Sequence, residues 1–583
     1  MQHTRTLLAA TLALSLAACG QQAQVTAPVA STPDQTAVSG DVYLVGFKES
    51  SLGAQSLSAQ QLSAQAQVQA QAITTAGGTL TSQWADISAA AVHLSPEALA
   101  RLKGNPLVEY VEPDLVRRAL GMRSGGTDAS PARASFGTQG LTAQATPVYT
   151  ASGEYTWGDN ALKVPNLRAS NYTGAGAAVC ITDTGIDGNH QEFAGKLKGF
   201  KNFVTTETNR NSAYQLNDVS HHGTHVSGTV FAQYGAGTGA TGQQSGMDPN
   251  GVGGVASSVN LYMARVLGDT GSGSSSGIIN GVNWCAAQLK SQGGTESKVV
   301  ISMSLGGGGK SQTEQRAYTN VYNKGALIIA ATGNDGAAVS YPAAYTNVVG
   351  VGAIDANEAR ASFSNFGAQV DLVGPGVSVL SSIPLGQGTA ASASGGGVTF
   401  EGVMSADKSG KGTVSGTVVA AGGTNNEFCG TTTRNAALSG NIALIARGTC
   451  SFEEKTANAV ASGATAVMIY NNAAGALGMS LTNAYSVPVV GLTQADGQGL
   501  LGQLPTSGTA SVTGADYEYF DGTSMATPHV SAAAAVVWAA KPTLTNTQLL
   551  SLLTSTARDL GTAGRDDNFG SGLVNPLRAI TGQ

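Results

Sequence analysis

The chemistry open to this chain centres on a serine. Ser524 lies in Asp521-Gly-Thr-Ser-Met-Ala-Thr-Pro-His-Val530, which opens an Ala/Val-rich segment, Ser531 to Ala540, readable as a buried helix. Thr523 and Ser524 sit where helix N-caps sit, and Pro528 is tolerable in a first turn. A serine there lies beside unpaired backbone N–H groups and the positive end of the helix dipole, both suited to a developing negative charge. For a lone serine, a capped helix is the simpler reading. A working nucleophile also needs a base, the base an orienting acid, and the oxyanion a donor.

Three other stretches offer such groups. Ala177-Ala-Val-Cys-Ile-Thr-Asp183-Thr-Gly-Ile-Asp187 is an apolar strand ending in an aspartate and a glycine turn. In a parallel sheet that end is where ligands and chemistry collect. A buried carboxylate there is costly without a partner, which makes Asp183 the candidate acid ahead of Asp187. His221-His222-Gly-Thr-His225 places three histidines in five residues and invites a zinc reading. The helical metal-hydrolase pattern needs histidines at i and i+4 with a glutamate between, whereas His222 and His225 are three apart and have none between them. Two buried strands, Val299 to Gly307 and Leu327 to Asn334, run into glycines, and Asn334 by itself reads as a Gly-Asn turn former.

Taken together, these segments resemble one family. The octet Gly522-Thr-Ser-Met-Ala-Thr-Pro-His529 resembles the nucleophile motif of the subtilisin-like serine proteases, and His222-Gly-Thr-His-Val226 resembles their histidine motif. The order Asp183, His222, Ser524 is that family's order. The resemblance implies that Asp183 orients His222, that His222 takes the proton of Ser524, and that Asn334 and the Ser524 N–H bind the oxyanion. It makes His225 a packed structural residue. It implies that an extended peptide pairs along Gly271-Ser272-Gly273, as an added strand read through its backbone. Ser304-Leu305-Gly306 and Ala331-Thr332-Gly333 would wall the specificity pocket, with Ser340 at its base. Nothing charged lines these segments, so large uncharged side chains are expected to fill it. Glu192 and Asp248 occupy positions similar to a stabilising calcium site of the family; the alternative is a pair of solvated loop carboxylates.

These residues need a scaffold, and 583 residues are enough for two to four domains. With 78 glycines and only 11% charged residues, the chain suits a secreted protein of loops and buried sheet. A formal charge of −6 offers no basic field for a nucleic-acid partner, and no apolar run of ~20 residues spans a membrane. Arg5 precedes an apolar stretch, Leu7 to Ala18, of signal-peptide length. Leu16-Ala-Ala-Cys19-Gly resembles a bacterial lipobox, in which Cys19 would be lipidated; the alternative is ordinary cleavage after Ala17. Residues 1–19 are thus a targeting segment, and a membrane enters only through that lipid.

Strand and helix patterns over 40–116, closing on Val108-Glu-Tyr-Val-Glu-Pro-Asp114, resemble the inhibitory propeptide of subtilisin-like precursors. A Gly/Ser/Ala/Thr-rich stretch, 117–150, reads as a cleavable linker. Residues 151–394 and 515–583 alternate strands and helices, as a parallel α/β sheet requires. Between them a long insertion, 395–514, carries its own strand-helix-strand order and resembles a protease-associated (PA) domain. Cys429 and Cys450 both fall in it and are expected to pair; Cys180 and Cys285 either pair or stay as buried thiols. The expected fold class is α/β: a subtilisin-like parallel sheet flanked by helices, with a small α+β propeptide domain and an inserted β-rich PA domain. The expected function is an exported serine endopeptidase that acts on proteins and peptides and is made as a precursor inhibited by its own propeptide. Two rivals predict otherwise: a binding lipoprotein on a retired protease fold, and a zinc hydrolase using His222 and His225.

Overall fold

Runs such as Val299–Met303 and Leu327–Ala331, apolar save for Ser302 and buried at every position, suit a strand covered on both faces. In the computed structural model the described residues are 38–48, 58–120, 122–123, 148–193, 195–242, 244, 247–473 and 477–583. The lipobox call at Cys19 and most of the expected linker lie outside them. Seven strands form the central sheet, in the order Leu372–Pro375, Val348–Ile354, Leu327–Ala331, Val299–Met303, Ala178–Asp183, Asn260–Arg265, Leu197–Asn202. All neighbouring pairs are parallel.

One face carries the helices His222–Phe231 and Thr523–Ala540; the other carries Ser275–Ala286 and Gln312–Asn323. The second helix is buried from Thr523 to Trp538, and its alanines let it lie close on the sheet. Its N-cap is Gly522, with no side-chain cap, so the expectation that Thr523 or Ser524 caps it is corrected. Both stand inside the first turn, because the Thr523 hydroxyl is committed to Asn334.

The N-terminal unit packs the helices Ala59–Ala76 and Pro96–Lys103 on four antiparallel strands. One of them, Thr79–Trp84, is a largely exposed, polar edge strand, which hides it from a reading by hydrophobic pattern. The last strand, Val108–Ala119, does not end at residue 116. It runs on into the catalytic unit and pairs with Ser272–Ser274 on one side and Leu305–Gly306 on the other. Residues 117–119 are therefore strand and not linker: two open edges satisfy backbone groups that a loop would leave to water.

The inserted unit is a mixed eight-stranded sheet with helices Phe452–Ala461 and Gln494–Leu501. Its first long strand is Gly388–Gly395, antiparallel to its last, Thr506–Ala515, so the sheet begins ahead of residue 395. Entry and exit thus lie side by side. Immediately below them Val379–Ser382 pairs with Tyr517–Asp521, the strand that leads into the Ser524 helix. An insertion whose ends are neighbours extends a hairpin and leaves the sheet beneath it intact. Both cysteine pairs are disulfides, Cys180–Cys285 across the catalytic sheet and its helix, and Cys429–Cys450 within the insertion.

Candidate active site

Asp183 ends its strand buried, and its Oδ1 lies 2.7 Å from His222 Nδ1. The same oxygen accepts the Thr184 N–H at 2.7 Å. His222 is the first residue of its helix, and what fixes that helix start is a set of contacts not visible in the motif. Thr184 Oγ1 accepts the Gly223 N–H at 2.8 Å and donates to Asp218 at 2.7 Å, while Asp218 accepts from the Thr224 N–H at 2.8 Å. A Cβ on Gly223 would stand 2.1 Å from the Gly185 carbonyl oxygen, so only glycine lets the helix come this close to the Asp183 turn. His225 is turned away: it stacks on Phe520 at 4.3 Å and directs Nε2 at the Val379 and Glu518 carbonyls. Burial pushes its imidazole down to about 3. That is the setting of a neutral structural ring.

Ser524 is buried, and its Oγ donates to the Ser304 carbonyl at 3.0 Å; among the described residues His222 Nε2 has no hydrogen-bond partner. Asn334 is held by its carboxamide oxygen, which accepts the Thr523 N–H at 2.9 Å and the Thr523 hydroxyl at 2.8 Å. With the oxygen so held, Nδ2 donates to the Leu120 carbonyl oxygen, 2.5 Å away. The Ser524 N–H reaches the same oxygen at 3.3 Å. Two donors, one a side-chain amide and one a helix-start backbone N–H, thus converge on a carbonyl of the propeptide strand. Leu120 itself escaped sequence reasoning; the clue was that a large apolar residue closes the propeptide strand ahead of a Gly/Ser-rich run.

The surrounding residues complete a peptide cleft. The Ala119 N–H donates to the Gly271 carbonyl at 2.9 Å, and the Leu120 N–H to the Ser304 carbonyl at 3.3 Å. Ser272 and Gly273 pair with Arg118 and Arg117, and Leu305 and Gly306 with Ala119 and Arg118. The Leu120 side chain lies over Gly306, where a Cβ would come within 2.7 Å of Leu120 Cδ1. Ser340 flanks this space and accepts from Asn365 at 3.2 Å, while Asn365 also holds the Thr332 carbonyl at 3.0 Å. Gly333, after Ala331 and Thr332, donates to Thr523 Oγ1 at 3.2 Å. Beyond Leu120, Met122 and Arg123 pair with Asp521 and Phe520, so the chain is gripped on both sides of the carbonyl.

Glu192 and Asp248 form a looser pair. Among the described residues no three His, Cys, Asp or Glu side chains converge as a metal cluster. Glu192 is buried, and burial pushes its carboxyl up to about 7; it accepts from Tyr517 Oη at 2.6 Å and the Gln233 N–H at 2.7 Å. Asp248 accepts the Asn250 N–H at 2.8 Å within its own turn. Calcium takes six to eight oxygens, so backbone carbonyls would have to supply most of a shell here.

Comparison with known proteins places this geometry. The Subtilase family model matches residues 174–399 and 491–572, the PA domain model 414–500, and the Peptidase inhibitor I9 model 42–120. Subtilisin NAT of Bacillus subtilis subsp. natto is 33% identical over 349 residues, 59% of this chain and 74% of that protein. Alkaline elastase YaB of Bacillus sp. (strain YaB) is 32% identical over 346 residues, with the same coverage, 59% and 74%. Among solved structures, a psychrophilic subtilisin-like protease from the Antarctic psychrotroph Pseudoalteromonas sp. AS-11 is 31% identical with a TM-score of 0.54, covering 74% of this chain and 98% of that one. Fervidolysin from Fervidobacterium pennivorans, at 19% identity and a TM-score of 0.54 over 93% of this chain and 61% of its own, shares the fold. The chain belongs to the subtilase family. It is a serine endopeptidase with an inhibitory I9 propeptide and an inserted PA domain.

Proposed function

We propose that Ser524 is the nucleophile, His222 its general base and acid, Asp183 the group that orients His222, and Asn334 with the Ser524 N–H the oxyanion donors. The first substrate is the chain's own bond between Leu120 and Gly121. One observation carries this reading: the Leu120 carbonyl oxygen sits on both donors, in the cleft that holds the strand before it. In the step itself the Ser524 hydroxyl turns from the Ser304 carbonyl to His222 Nε2 and gives up its proton there. Its oxygen attacks the Leu120 carbonyl carbon, and negative charge collects on an oxygen that already has two donors. Collapse breaks the bond to Gly121, whose nitrogen takes the proton back from His222. Water then hydrolyses the Leu120 acyl-enzyme by the same route.

The propeptide strand remains in the cleft as a product inhibitor until it leaves. The enzyme is exported, and a lipid on Cys19 would tether only the precursor. We further propose that a structural calcium ion binds at Glu192 and Asp248, where it would supply the positive charge that the buried Glu192 carboxylate lacks. The decisive experiment purifies the native chain and Ser524→Ala, and sequences the new N-terminus. The native chain is expected to yield a product beginning at Gly121, and Ser524→Ala to remain uncut. A pure Ser524→Ala protein that matured unaided would overturn the assignment.

A further inference from the structure

The fourth residue before the proposed cut is an arginine, and its surroundings are unlike a surface contact. Arg117 and Glu314 are both fully buried. Arg117 Nε and Nη2 reach the two carboxylate oxygens of Glu314 at 3.0 and 2.6 Å, a bidentate fork. The remaining donors go to the enzyme's backbone, Nη1 to the Gly308 carbonyl at 2.6 Å and Nη2 to the Gly309 carbonyl at 3.0 Å. By contrast Arg118, the next residue, is exposed, and its side chain donates to Ser272 Oγ at 3.0 Å.

This pocket belongs to the enzyme and not to the propeptide. Glu314 stands in the first turn of the helix Gln312–Asn323. Its Oε2 accepts the Tyr345 hydroxyl at 2.8 Å and its Oε1 the Ser275 hydroxyl, both from the catalytic unit. Its position therefore does not depend on Arg117. When the propeptide leaves, an oriented carboxylate and two backbone carbonyls remain facing a space shaped for a guanidinium. A carboxylate so placed gains only from a cation that can follow the same path.

We propose that Glu314 is a specificity-determining residue, and that the matured enzyme selects substrates with arginine at the fourth position and a large apolar residue at the first, counted back from the cut. This rests on the reading that Leu120 is the residue whose carbonyl is attacked. Lysine at the fourth position is a poorer fit, because a single ammonium cannot fork to two carboxylate oxygens and two carbonyls at once.

The test uses matured native enzyme and chromogenic peptides Arg-Ala-Ala-Leu, Lys-Ala-Ala-Leu and Met-Ala-Ala-Leu, each bearing a reporter amine after the leucine. Native enzyme should cleave the arginine peptide with kcat/KM ~10²-fold above the methionine peptide, as expected for a desolvated, forked charge pair. The lysine peptide should fall between them. Glu314→Gln should bring the arginine and methionine peptides to within about threefold of each other, by loss on the arginine peptide alone. If Glu314→Gln fails to mature, the native series decides the matter by itself. Cleavage of all three peptides at equal rates would mean that the pair only anchors the propeptide, and would overturn the specificity while leaving Ser524 in its role. No cleavage of any of them by matured enzyme would sink the Leu120 reading, and this proposal with it.

Discussion

At the residue scale, the proposed oxyanion site depends on which atom of a carboxamide is already occupied. The Asn334 oxygen accepts twice from Thr523, which fixes the carboxamide so that its nitrogen faces the Leu120 carbonyl. Glu192 shows the opposite arrangement, a charge with too little support. Burial outweighs the Tyr517 hydroxyl and the Gln233 and Val252 N–H groups, and the like charge of Glu154 adds to it, raising its carboxyl from 4.5 to about 7. Between those two values the folded protein holds a proton that the unfolded chain has released. Stability therefore falls as pH rises through that window, by on the order of 3 kcal/mol once above it. In a Ser524→Ala background, Glu192→Gln should lose this decline, so the melting temperatures of the two proteins should diverge from pH 4.5 to 8. Calcium at pH 8 should restore the parent and leave the Gln variant unmoved. Equal stabilisation of both proteins by calcium would place the ion elsewhere.

At the element scale, two helices of the catalytic unit begin on carboxylates that the propeptide supplies. Glu112 accepts the Ser311 hydroxyl at 2.7 Å and the Gln312 and Thr313 N–H groups at 3.0 and 2.9 Å. Asp114 accepts the Ser276 N–H at 2.9 Å and the Ser276 hydroxyl. Each carboxylate meets unpaired donors and the positive end of a helix, a contact worth about 1–2 kcal/mol. Glu112→Ala or Asp114→Ala should therefore let the cleaved propeptide leave about tenfold faster, read as a shorter lag between processing and the onset of peptidase activity. An unchanged lag would mean that the strand pairing alone sets the release rate.

These caps also mark where the sequence stopped being legible. Val108-Glu-Tyr-Val-Glu-Pro-Asp114 reads as a strand because that pattern is local, and as a propeptide ending only through its resemblance to the family. The partners of its acids lie far along the chain, Ser276 162 positions from Asp114 and Gln312 200 positions from Glu112, and no periodicity points to them. Glu314 was hidden for a related reason. Ser311-x-x-Glu314 reads as a helix cap, and Ser311 Oγ does accept the Glu314 N–H at 3.1 Å, but the carboxylate faces the cleft and not the cap. By contrast the stretches around Asp183, His222, Asn334 and Ser524 each carry a compact motif at a strand end or helix start, and those could be read without tertiary knowledge.

At the scale of the whole molecule, the proposed lipid and the proposed cut together would make processing a change of address as well as of activity. Cys19 stands before the propeptide, whereas Asp183, His222, Asn334 and Ser524 all follow Leu120. A cut between Leu120 and Gly121 thus separates any lipid from the enzyme covalently. On that proposal, what would then hold the enzyme near the membrane is the propeptide alone, through Arg117, Glu112, Asp114 and the strand pairing. Among the described residues no helix is long and apolar enough to cross a membrane. Release should accordingly follow propeptide loss and not the cut itself. Cells producing the native chain and Ser524→Ala can be fractionated after labelling with a fatty-acid precursor. The Ser524→Ala precursor should sediment with membranes and carry label, and the native enzyme should be soluble and unlabelled. In a native chain that also carries Glu112→Ala, the soluble fraction should appear sooner, since the last tie is weaker. Matured enzyme that stays on the membrane after its propeptide is gone would reject release by processing, and a soluble, unlabelled precursor would instead reject lipidation of Cys19.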